Sequence, residues 1–134
     1  MASKPKQPKC IFVFGSNEAG IHGKGAALFA FKNMGAQFGK CYGHHGQSFA
    51  IPTKDELFQP LSIERINQYI QGFLAYATGH RKLKFAVSCI GCGLAGFKHE
   101  QIAPLFKNAP KNCEFDLNWQ PYLGEEHNYW GTFG

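Results

Sequence analysis

Short apolar runs alternate with longer segments of helical periodicity in the first half of the chain. Cys10-Ile-Phe-Val-Phe14 is wholly apolar and predicts a strand buried on both faces. Gly25 to Met34 has an alanine- and phenylalanine-rich body and predicts a helix, and residues 35–46 predict a loop. A second strand is predicted from Gln47 to Ile51, where Pro52 is expected to end it.

The second half of the chain continues this alternation. Ser62 is a good N-cap for a long helix whose apolar positions recur every three or four residues up to Gly79. The pattern then predicts a strand over residues 84–90, a short helix from Glu100 to Lys107 and a last strand from Cys113 to Leu117. Buried strands separated by helices predict right-handed crossovers, and therefore a three-layer α/β/α sandwich with a mostly parallel or mixed sheet.

The segment from Asn118 onward has no such periodicity and is dense in aromatic residues, namely Trp119, Tyr122, Tyr129, Trp130 and Phe133. Two interpretations are open. The rings can pack over the sheet or in a subunit contact, or one ring can close a ligand pocket by stacking on a base.

Composition and charge narrow the choice of partners. The chain has 134 residues, of which 44% are hydrophobic and 17% charged, and this predicts one globular domain over residues 10–134. The formal net charge is +5 and the pI about 9.0. Residues 1–9 contain Lys4, Lys6 and Lys9 and predict a flexible basic tail. The mildly basic body favours an acidic small ligand or weak nucleic-acid contact.

Other classes of protein are disfavoured. No run approaches the roughly 18 apolar residues of a membrane span, and no secretory signal is visible, which predicts a cytoplasmic protein that does not contact membranes. The five cysteines are an odd number and predict buried or loop thiols. Cys89 and Cys92 form a CxxC motif without two further ligands at suitable spacing, so we predict neither a metal site nor a cofactor.

Two predicted strands run into glycine-rich segments that open predicted helices. The first segment contributes the candidate ligand-binding residues Gly20, Ile21, His22, Gly23, Lys24 and Gly25, and the second contributes Ile90, Gly91, Cys92, Gly93, Leu94, Ala95, Gly96 and Phe97. A strand that ends in glycines before a helix presents backbone N–H groups and the positive end of the helix, where anions bind. Because the carboxyl ends of parallel strands share one edge of the sheet, the two loops predict a pocket for a phosphorylated ligand.

Several polar side chains fall on the same edge. Asn17 follows the first strand and can bind ribose hydroxyls or form an Asx turn, and His22 and Lys24 can meet a phosphate or remain solvated. Lys54 can hold a pyrophosphate, attack a ribose carbon as an amine, or be an exposed loop lysine. Asp55 and Glu56 are the nearest carboxylates and the candidates for a general base.

These motifs resemble the macrodomain family, whose α/β/α modules bind ADP-ribose. The resemblance is closest to the branch that includes terminal ADP-ribose protein glycohydrolase and the DNA ADP-ribosyl glycohydrolase antitoxin. In that branch a GKG-type loop, a strand ending in Thr-Lys and an I/L-G-C-G loop follow in order, as Gly23-Lys-Gly25, Thr53-Lys54 and Ile90-Gly-Cys-Gly93 do here. The resemblance implies that Thr53 lies in the ligand site and that Lys54 is the catalytic lysine.

The chain departs from that branch at two points. Ala95 stands where the glycohydrolase has an aspartate after its GCGL motif, so Asp55 is the expected partner carboxylate for Lys54. Macrodomains usually begin with a further strand whose aspartate recognises adenine. Only nine residues precede Cys10, so we expect that strand to be missing and the C-terminal aromatic residues to substitute for it.

The sequence therefore predicts a protein that binds ADP-ribose or a related phosphorylated nucleotide, with the diphosphate between the loops of residues 20–25 and 91–97. Hydrolysis of an ADP-ribosyl linkage, on a modified protein or nucleic acid, is the candidate activity. Two alternatives stay open. One is a non-catalytic binder that reads or sequesters an ADP-ribose-like signal, and the other is a nucleic-acid or protein interaction module that uses the basic tail and exposed aromatic residues.

Overall fold

Six strands form one mixed sheet in the computed structural model, which describes residues 10–133. They are β1 (Cys10–Asn17), β2 (Gly43–His45), β3 (Ser48–Lys54), β4 (Lys84–Val87), β5 (Cys113–Asp116) and β6 (Asn128–Gly131). Their spatial order is β2-β3-β1-β4-β5-β6. β2 is antiparallel to β3, and every other neighbouring pair is parallel. The predicted basic tail, residues 1–9, lies outside the described residues.

Helices cover both faces of this sheet, which confirms the predicted α/β/α layering. α1 (Gly25–Asn33) packs on one face, and α2 (Ile63–Gly79) packs on the other. The α2 face also carries four short elements: α3 (His99–Ile102), a 3₁₀ helix at Ala103–Phe106, another at Leu117–Trp119, and α4 (Gln120–Leu123).

The alternation of side chains along β1 explains why two cores form. Ile11 and Val13 belong to the larger core beneath α2, whereas Phe12 and Phe14 belong to the smaller core beneath α1. All four side chains are buried, and burying each of them contributes roughly 1.5–3 kcal/mol. β1 is therefore buried on both faces of the sheet, as the apolar sequence of Cys10–Phe14 predicts, and it extends three residues beyond the predicted end, to Asn17.

Helix α2 forms as its sequence pattern predicts. The Ser62 hydroxyl accepts a hydrogen bond from the Arg65 N–H at 3.1 Å and caps the first turn. The helix continues to Gly79, and its buried residues include Ile66, Ile70 and Phe73.

Other boundaries differ from the sequence-based expectations. β3 continues through Pro52 to Lys54, because β2 pairs with β3 only as far as Ala50. Between Ala50 and the isolated bridge from Lys54 to Pro60, the edge of β3 that faces β2 has no partner strand. The missing N–H of Pro52 therefore costs no ladder hydrogen bond. β4 ends at Val87, and Ser88 instead donates from its N–H and its hydroxyl to the Val13 carbonyl.

The C-terminal aromatic segment is ordered and packs against the sheet. It adds β6 beside β5. The prediction that the strand beginning at Cys113 is the last strand is therefore wrong. Trp119 is fully buried in the larger core, and Trp130 packs on the smaller core and donates from its indole N–H to the Val87 carbonyl at 3.0 Å. The packing interpretation therefore holds for these rings.

Within residues 10–133, the structure contains no helix with the length and apolar character needed to span a membrane.

Candidate functional site

A cavity of about 860 Å³ opens at the edge of the sheet where β1, β3, β4 and β5 end. Both glycine-rich segments reach it. Thirteen of the residues predicted from the sequence line it, namely Asn17, Ile21, Gly23, Lys24, Gly25, Thr53, Lys54, Ile90, Gly91, Cys92, Gly93, Leu94 and Ala95. The topology thus brings together segments that are about 70 residues apart in the chain.

The end of β1 meets the second glycine loop at the base of the cavity. A Cβ atom built on Gly15 would lie 3.4 Å from the Gly91 nitrogen and 3.5 Å from the Thr53 hydroxyl. Glycine at position 15 therefore lets the end of β1 approach both neighbouring segments closely. The loops are the two walls of one cleft, and the space between them is open.

The first glycine loop, residues 20–25, is held in place by its own hydrogen bonds. The Asn17 side chain donates to the Ile21 carbonyl at 2.8 Å and accepts from the Ile21 N–H at 3.1 Å. Gly20 has φ +71°, and its added Cβ would lie 2.7 Å from the backbone of Gly39. Asn17 thus closes a local turn while it lines the cavity, and Gly20 serves close packing outside the lining.

His22 lies beneath this loop and does not line the cavity. Its side chain is 0% exposed, packs between Phe14 and Phe38, and forms a 2.8 Å hydrogen bond between Nε2 and the Gln37 carbonyl. Its Nδ1 has no hydrogen-bond partner among the described residues. Burial lowers the pKa of His22 from its ordinary 6.5. The ring is a structural support for the loop and has no access to a ligand in the cavity.

Helix α1 begins at the cavity without a side-chain cap. Its N-cap residue is Lys24, which has extended backbone and makes no capping hydrogen bond through its side chain. Gly25, Ala26 and Ala27 of the first turn line the cavity. The first N–H groups of a helix have no partner within the helix, so this end is a natural anion site.

The second glycine loop, residues 91–97, is more open. Gly91 has φ +76°, and its carbonyl accepts the N–H of Phe97 at 2.9 Å. A Cβ built on Gly93 or Gly96 would meet nothing within 4 Å. Gly96 and Phe97 lie outside the cavity lining, and Phe97 instead packs against the larger core.

Lys54 ends β3 and lines the cavity, with its Nζ atom 5.8 Å from the centre of the Phe58 ring. Asp55 does not line the cavity. One oxygen of its carboxylate accepts hydrogen bonds from the N–H groups of Leu57 at 2.8 Å and Gln59 at 3.0 Å. Asp55 therefore stabilises the turn after β3, and the structure does not supply it as the partner carboxylate for Lys54.

Sequence reasoning missed eleven residues of the lining, namely Gly15, Ser16, Ala26, Ala27, Phe58, Ser88, Cys89, His99, Asp116, Asn118 and Phe133. Asp116 carried a usable signal, because a carboxylate at the end of a predicted buried strand falls on the ligand edge. Phe133 was among the five C-terminal aromatic residues of which one could close the pocket, but the sequence did not single it out, since β6 brings it there from the far end of the chain.

Asp116 is the buried carboxylate of the cavity, and both of its oxygens are occupied. Oδ1 accepts from the N–H and the side-chain amide of Asn118, and Oδ2 accepts from the Thr132 hydroxyl and the Phe133 N–H, all at 2.9–3.2 Å. These bonds fix the segment after β6 over the end of β5. They hold the Phe133 ring at the cavity, where it contacts Phe12 and Phe29.

His99 and two thiols complete the polar lining. Nδ1 of His99 accepts the indole N–H of Trp119 at 3.0 Å, so a neutral His99 carries its proton on Nε2. Burial raises the pKa of Cys92 to about 11, and burial followed by the neighbouring Asp116 carboxylate raises that of Cys89 further. Both thiols are therefore protonated at neutral pH. In the part of the chain that the structure describes, no group of three His, Cys, Asp or Glu residues is arranged to hold a metal ion.

No protein-family model and no curated protein matches the sequence. Two solved structures are similar in fold. DarTG of Thermosipho africanus, solved in complex with ADP-ribose, has a TM-score of 0.57 at 19% identity over 88% of this chain and 41% of its own. This chain therefore spans less than half the length of DarTG. A protein of unknown function from Bacteroides thetaiotaomicron has a TM-score of 0.54 at 19% identity over 76% of this chain and 82% of its own. The chain has a macrodomain-like fold.

Proposed function

We propose that this protein binds ADP-ribose, or a closely related nucleotide derivative, in the cavity at the carboxyl edge of the sheet. The observation that carries the proposal is the joint placement of the uncapped start of α1 and the second glycine loop on one open cavity. The structure of DarTG with ADP-ribose, which shares the fold, supports the choice of ligand.

The diphosphate would lie between the two walls. The N–H groups of Gly25 and Ala26 would donate from one side, and those of Gly93 and Leu94 from the other. Lys24 and Lys54 add positive charge, and the carboxylate of Asp116 is already satisfied by four donors. Each hydrogen bond to a charged phosphate contributes roughly 1.5–3 kcal/mol. Four or five of them, after ordering costs, correspond to micromolar affinity, about −8 kcal/mol.

The two ends of the cavity would take the two ends of the ligand. Lys54 ends β3 and Phe133 follows β6. These strands are four positions apart in the sheet, which corresponds to about 19 Å at the usual strand spacing. We place the distal ribose beside Asn17 and Lys54, and the base beside Phe133 and Asn118. The elongated shape suits a ligand with a sugar at each end of a diphosphate.

Calorimetry with ADP-ribose, ADP and ribose 5-phosphate tests this assignment. We expect micromolar binding of ADP-ribose and weaker binding of the two fragments, because each occupies only part of the cavity. Lys54→Ala should weaken ADP-ribose binding about tenfold, since it removes a charge-assisted contact. Lys82→Ala, at an exposed site outside the cavity lining, is the control and should change the affinity less than twofold. The absence of binding at millimolar ADP-ribose would refute the proposal.

Hydrolysis of an ADP-ribosyl linkage is a second candidate, favoured by the position of Lys54 in the lining. The amine of Lys54 would attack the anomeric carbon as the bond to the modified group breaks, and the proton that the nitrogen loses would pass to the leaving group. Water would then release ADP-ribose from the adduct and restore the amine. His99 can donate a hydrogen bond to the leaving group from Nε2. Among the described residues, however, Asp116 is the single carboxylate of the lining, and its oxygens are occupied.

Single-turnover release of ADP-ribose from a modified protein or oligonucleotide separates the two candidates. An enzyme releases ADP-ribose, and Lys54→Ala abolishes the release while ADP-ribose still binds at higher concentration. A binder retains micromolar affinity and gives no release from the parent protein.

A further inference from the structure

The turn after β3 forces an aromatic residue into an unfavourable backbone conformation at the mouth of the cavity. Phe58 has φ 64° and is the one non-glycine residue with positive φ in the described part of the chain. The Asp55 carboxylate fixes the turn through Leu57 and Gln59, and the Asp55 carbonyl accepts the Phe58 N–H at 3.0 Å. Bulky residues in this region cost stability, and such residues concentrate at functional sites.

The Phe58 ring is directed to the cavity and not into either core. It is 46% exposed and belongs to the cavity lining. The Nζ atom of Lys54 lies over one face of the ring, 5.8 Å from its centre, so the opposite face is the one left for a ligand; Lys54 lines the same cavity. We place the distal ribose beside Lys54. A group attached to the anomeric carbon of that ribose would therefore lie next to Phe58.

Two further exposed apolar side chains belong to the same cavity. Ile21 of the first loop is 46% exposed and Leu94 of the second loop is 70% exposed, and both line the cavity. A single exposed apolar residue is ordinary, but three from separate segments around one opening indicate a contact surface. Leu57 is the informative contrast, since it is 72% exposed on the same turn and does not line the cavity.

The charges around this opening restrict what the surface can receive. Lys24 and Lys54 are the cations of the lining, and the Asp116 carboxylate is buried with its donors. Glu18, which follows β1, is held by Arg65 and Tyr69 of α2. A cationic ring beside Lys54 would be repelled, whereas a neutral ring gains apolar contact without an unpaired charge.

We propose that Phe58 is a specificity-determining residue, an aromatic platform that stacks on a neutral planar ring attached to the anomeric carbon of the distal ribose. Ile21 and Leu94 provide the remaining apolar contacts. This inference rests on the proposed function, because the ring is defined by its attachment to ADP-ribose.

Three soluble probes that differ at this carbon test the platform. ADP-ribose carries no ring there, NADH carries a neutral dihydropyridine and NAD⁺ carries a cationic pyridinium. We expect NADH to bind roughly three- to tenfold more tightly than ADP-ribose, the range that a stacked aromatic pair provides, and NAD⁺ to bind more weakly than NADH. NADH fluorescence and calorimetry give the three dissociation constants.

Variants then assign the preference to the ring. Phe58→Ala should remove the advantage of NADH and leave ADP-ribose binding within twofold, whereas Phe58→Trp should keep the advantage. Leu57→Ala, on the same turn outside the lining, should leave all three constants unchanged. Asparagine adopts a positive φ more readily than phenylalanine. Phe58→Asn should therefore lose the preference for NADH over ADP-ribose while the strain in the turn is relieved.

The outcomes distinguish this inference from the proposed function. Equal affinities for NADH and ADP-ribose, or a Phe58→Ala variant that loses both ligands equally, overturn the platform while ADP-ribose binding stands. A protein that binds none of the three probes overturns both.

Discussion

The two glycine loops look alike in the sequence, but the structure packs Gly20 of the first loop tightly and leaves Gly93 of the second loop in open space. In the first loop Gly20 is packed against Gly39, Asn17 closes a turn on Ile21, and His22 is buried beneath them. In the second loop Gly93 and Gly96 have open space where a side chain would lie. The start of the first loop is therefore tightly packed, whereas its end at Gly25 and the second loop at Gly93 are accessible, although glycine spacing predicts the same phosphate-binding role throughout.

The largest effect should come from Gly20→Ala. The new methyl group would lie 2.7 Å from the Gly39 backbone, at a φ of +71° that disfavours any side chain. Strain and overpacking together should lower the free energy of unfolding by about 3 kcal/mol in urea denaturation. Gly39→Ala has the same kind of backbone, φ +84°, with nothing within 4 Å, and should cost about 1 kcal/mol. Equal losses of unfolding free energy in both variants would show that the close packing of Gly20 on Gly39 contributes nothing to stability.

Asn17→Ala should have the next largest effect. It removes two hydrogen bonds to Ile21 from a side chain that is 6% exposed, and each such bond contributes about 1 kcal/mol. We expect a loss of about 2 kcal/mol in unfolding free energy, together with weaker ADP-ribose binding. Asn33→Ala removes an exposed bond of similar form, to the Phe29 carbonyl, and should cost less than about 0.5 kcal/mol. Unchanged unfolding free energy in the Asn17 variant would mean that the hydrogen bonds from Asn17 to Ile21 do not stabilise the first loop.

Gly93→Val probes the accessible wall and should separate binding from stability. No atom lies within 4 Å of the new Cβ, so the unfolding free energy should stay within about 0.5 kcal/mol of the parent. The side chain would occupy space beside the diphosphate, and we expect ADP-ribose affinity to fall at least about tenfold, or 1.4 kcal/mol. Gly79→Val, at the end of α2 and with equally open space, should leave the affinity unchanged. Unaltered affinity in the Gly93 variant would remove this loop from the binding site.

The smallest effect is a pH dependence that belongs to the first loop. Burial lowers the pKa of His22 from 6.5, so below that pH the unfolded chain binds a proton that the folded chain does not. The unfolding free energy should therefore fall as the pH drops below about 6.5, by at most about 1.4 kcal/mol per pH unit from this group. His22→Gln keeps a donor for the Gln37 carbonyl and cannot titrate, so its stability should fall less between pH 7 and 5.5. Parallel pH profiles for parent and variant would exclude His22 as the source.

Elements encoded by local pattern could be read from the sequence. α2 begins after Ser62 and ends at Gly79 as expected, because its cap and apolar stripe lie within the helix itself. The continuation of β3 through Pro52 could not be predicted from the sequence, because it depends on where the neighbouring β2 stops pairing. Asp55 shows the same limit at the site. Its proximity to Lys54 in sequence suggested a catalytic pair, but the local turn takes its carboxylate for Leu57 and Gln59.

By itself, the sequence determined the layered α/β class, the two loops that end buried strands and the edge of the sheet where they meet. These follow from hydrophobic periodicity and from glycines before helices, which act over a few residues. The tertiary structure alone decided that Gly20 is packed and Gly93 is open, that His22 is buried, and that Asp116 secures Phe133 at the cavity. Each of these depends on atoms brought together from distant parts of the chain, and no local pattern records which of those atoms will meet.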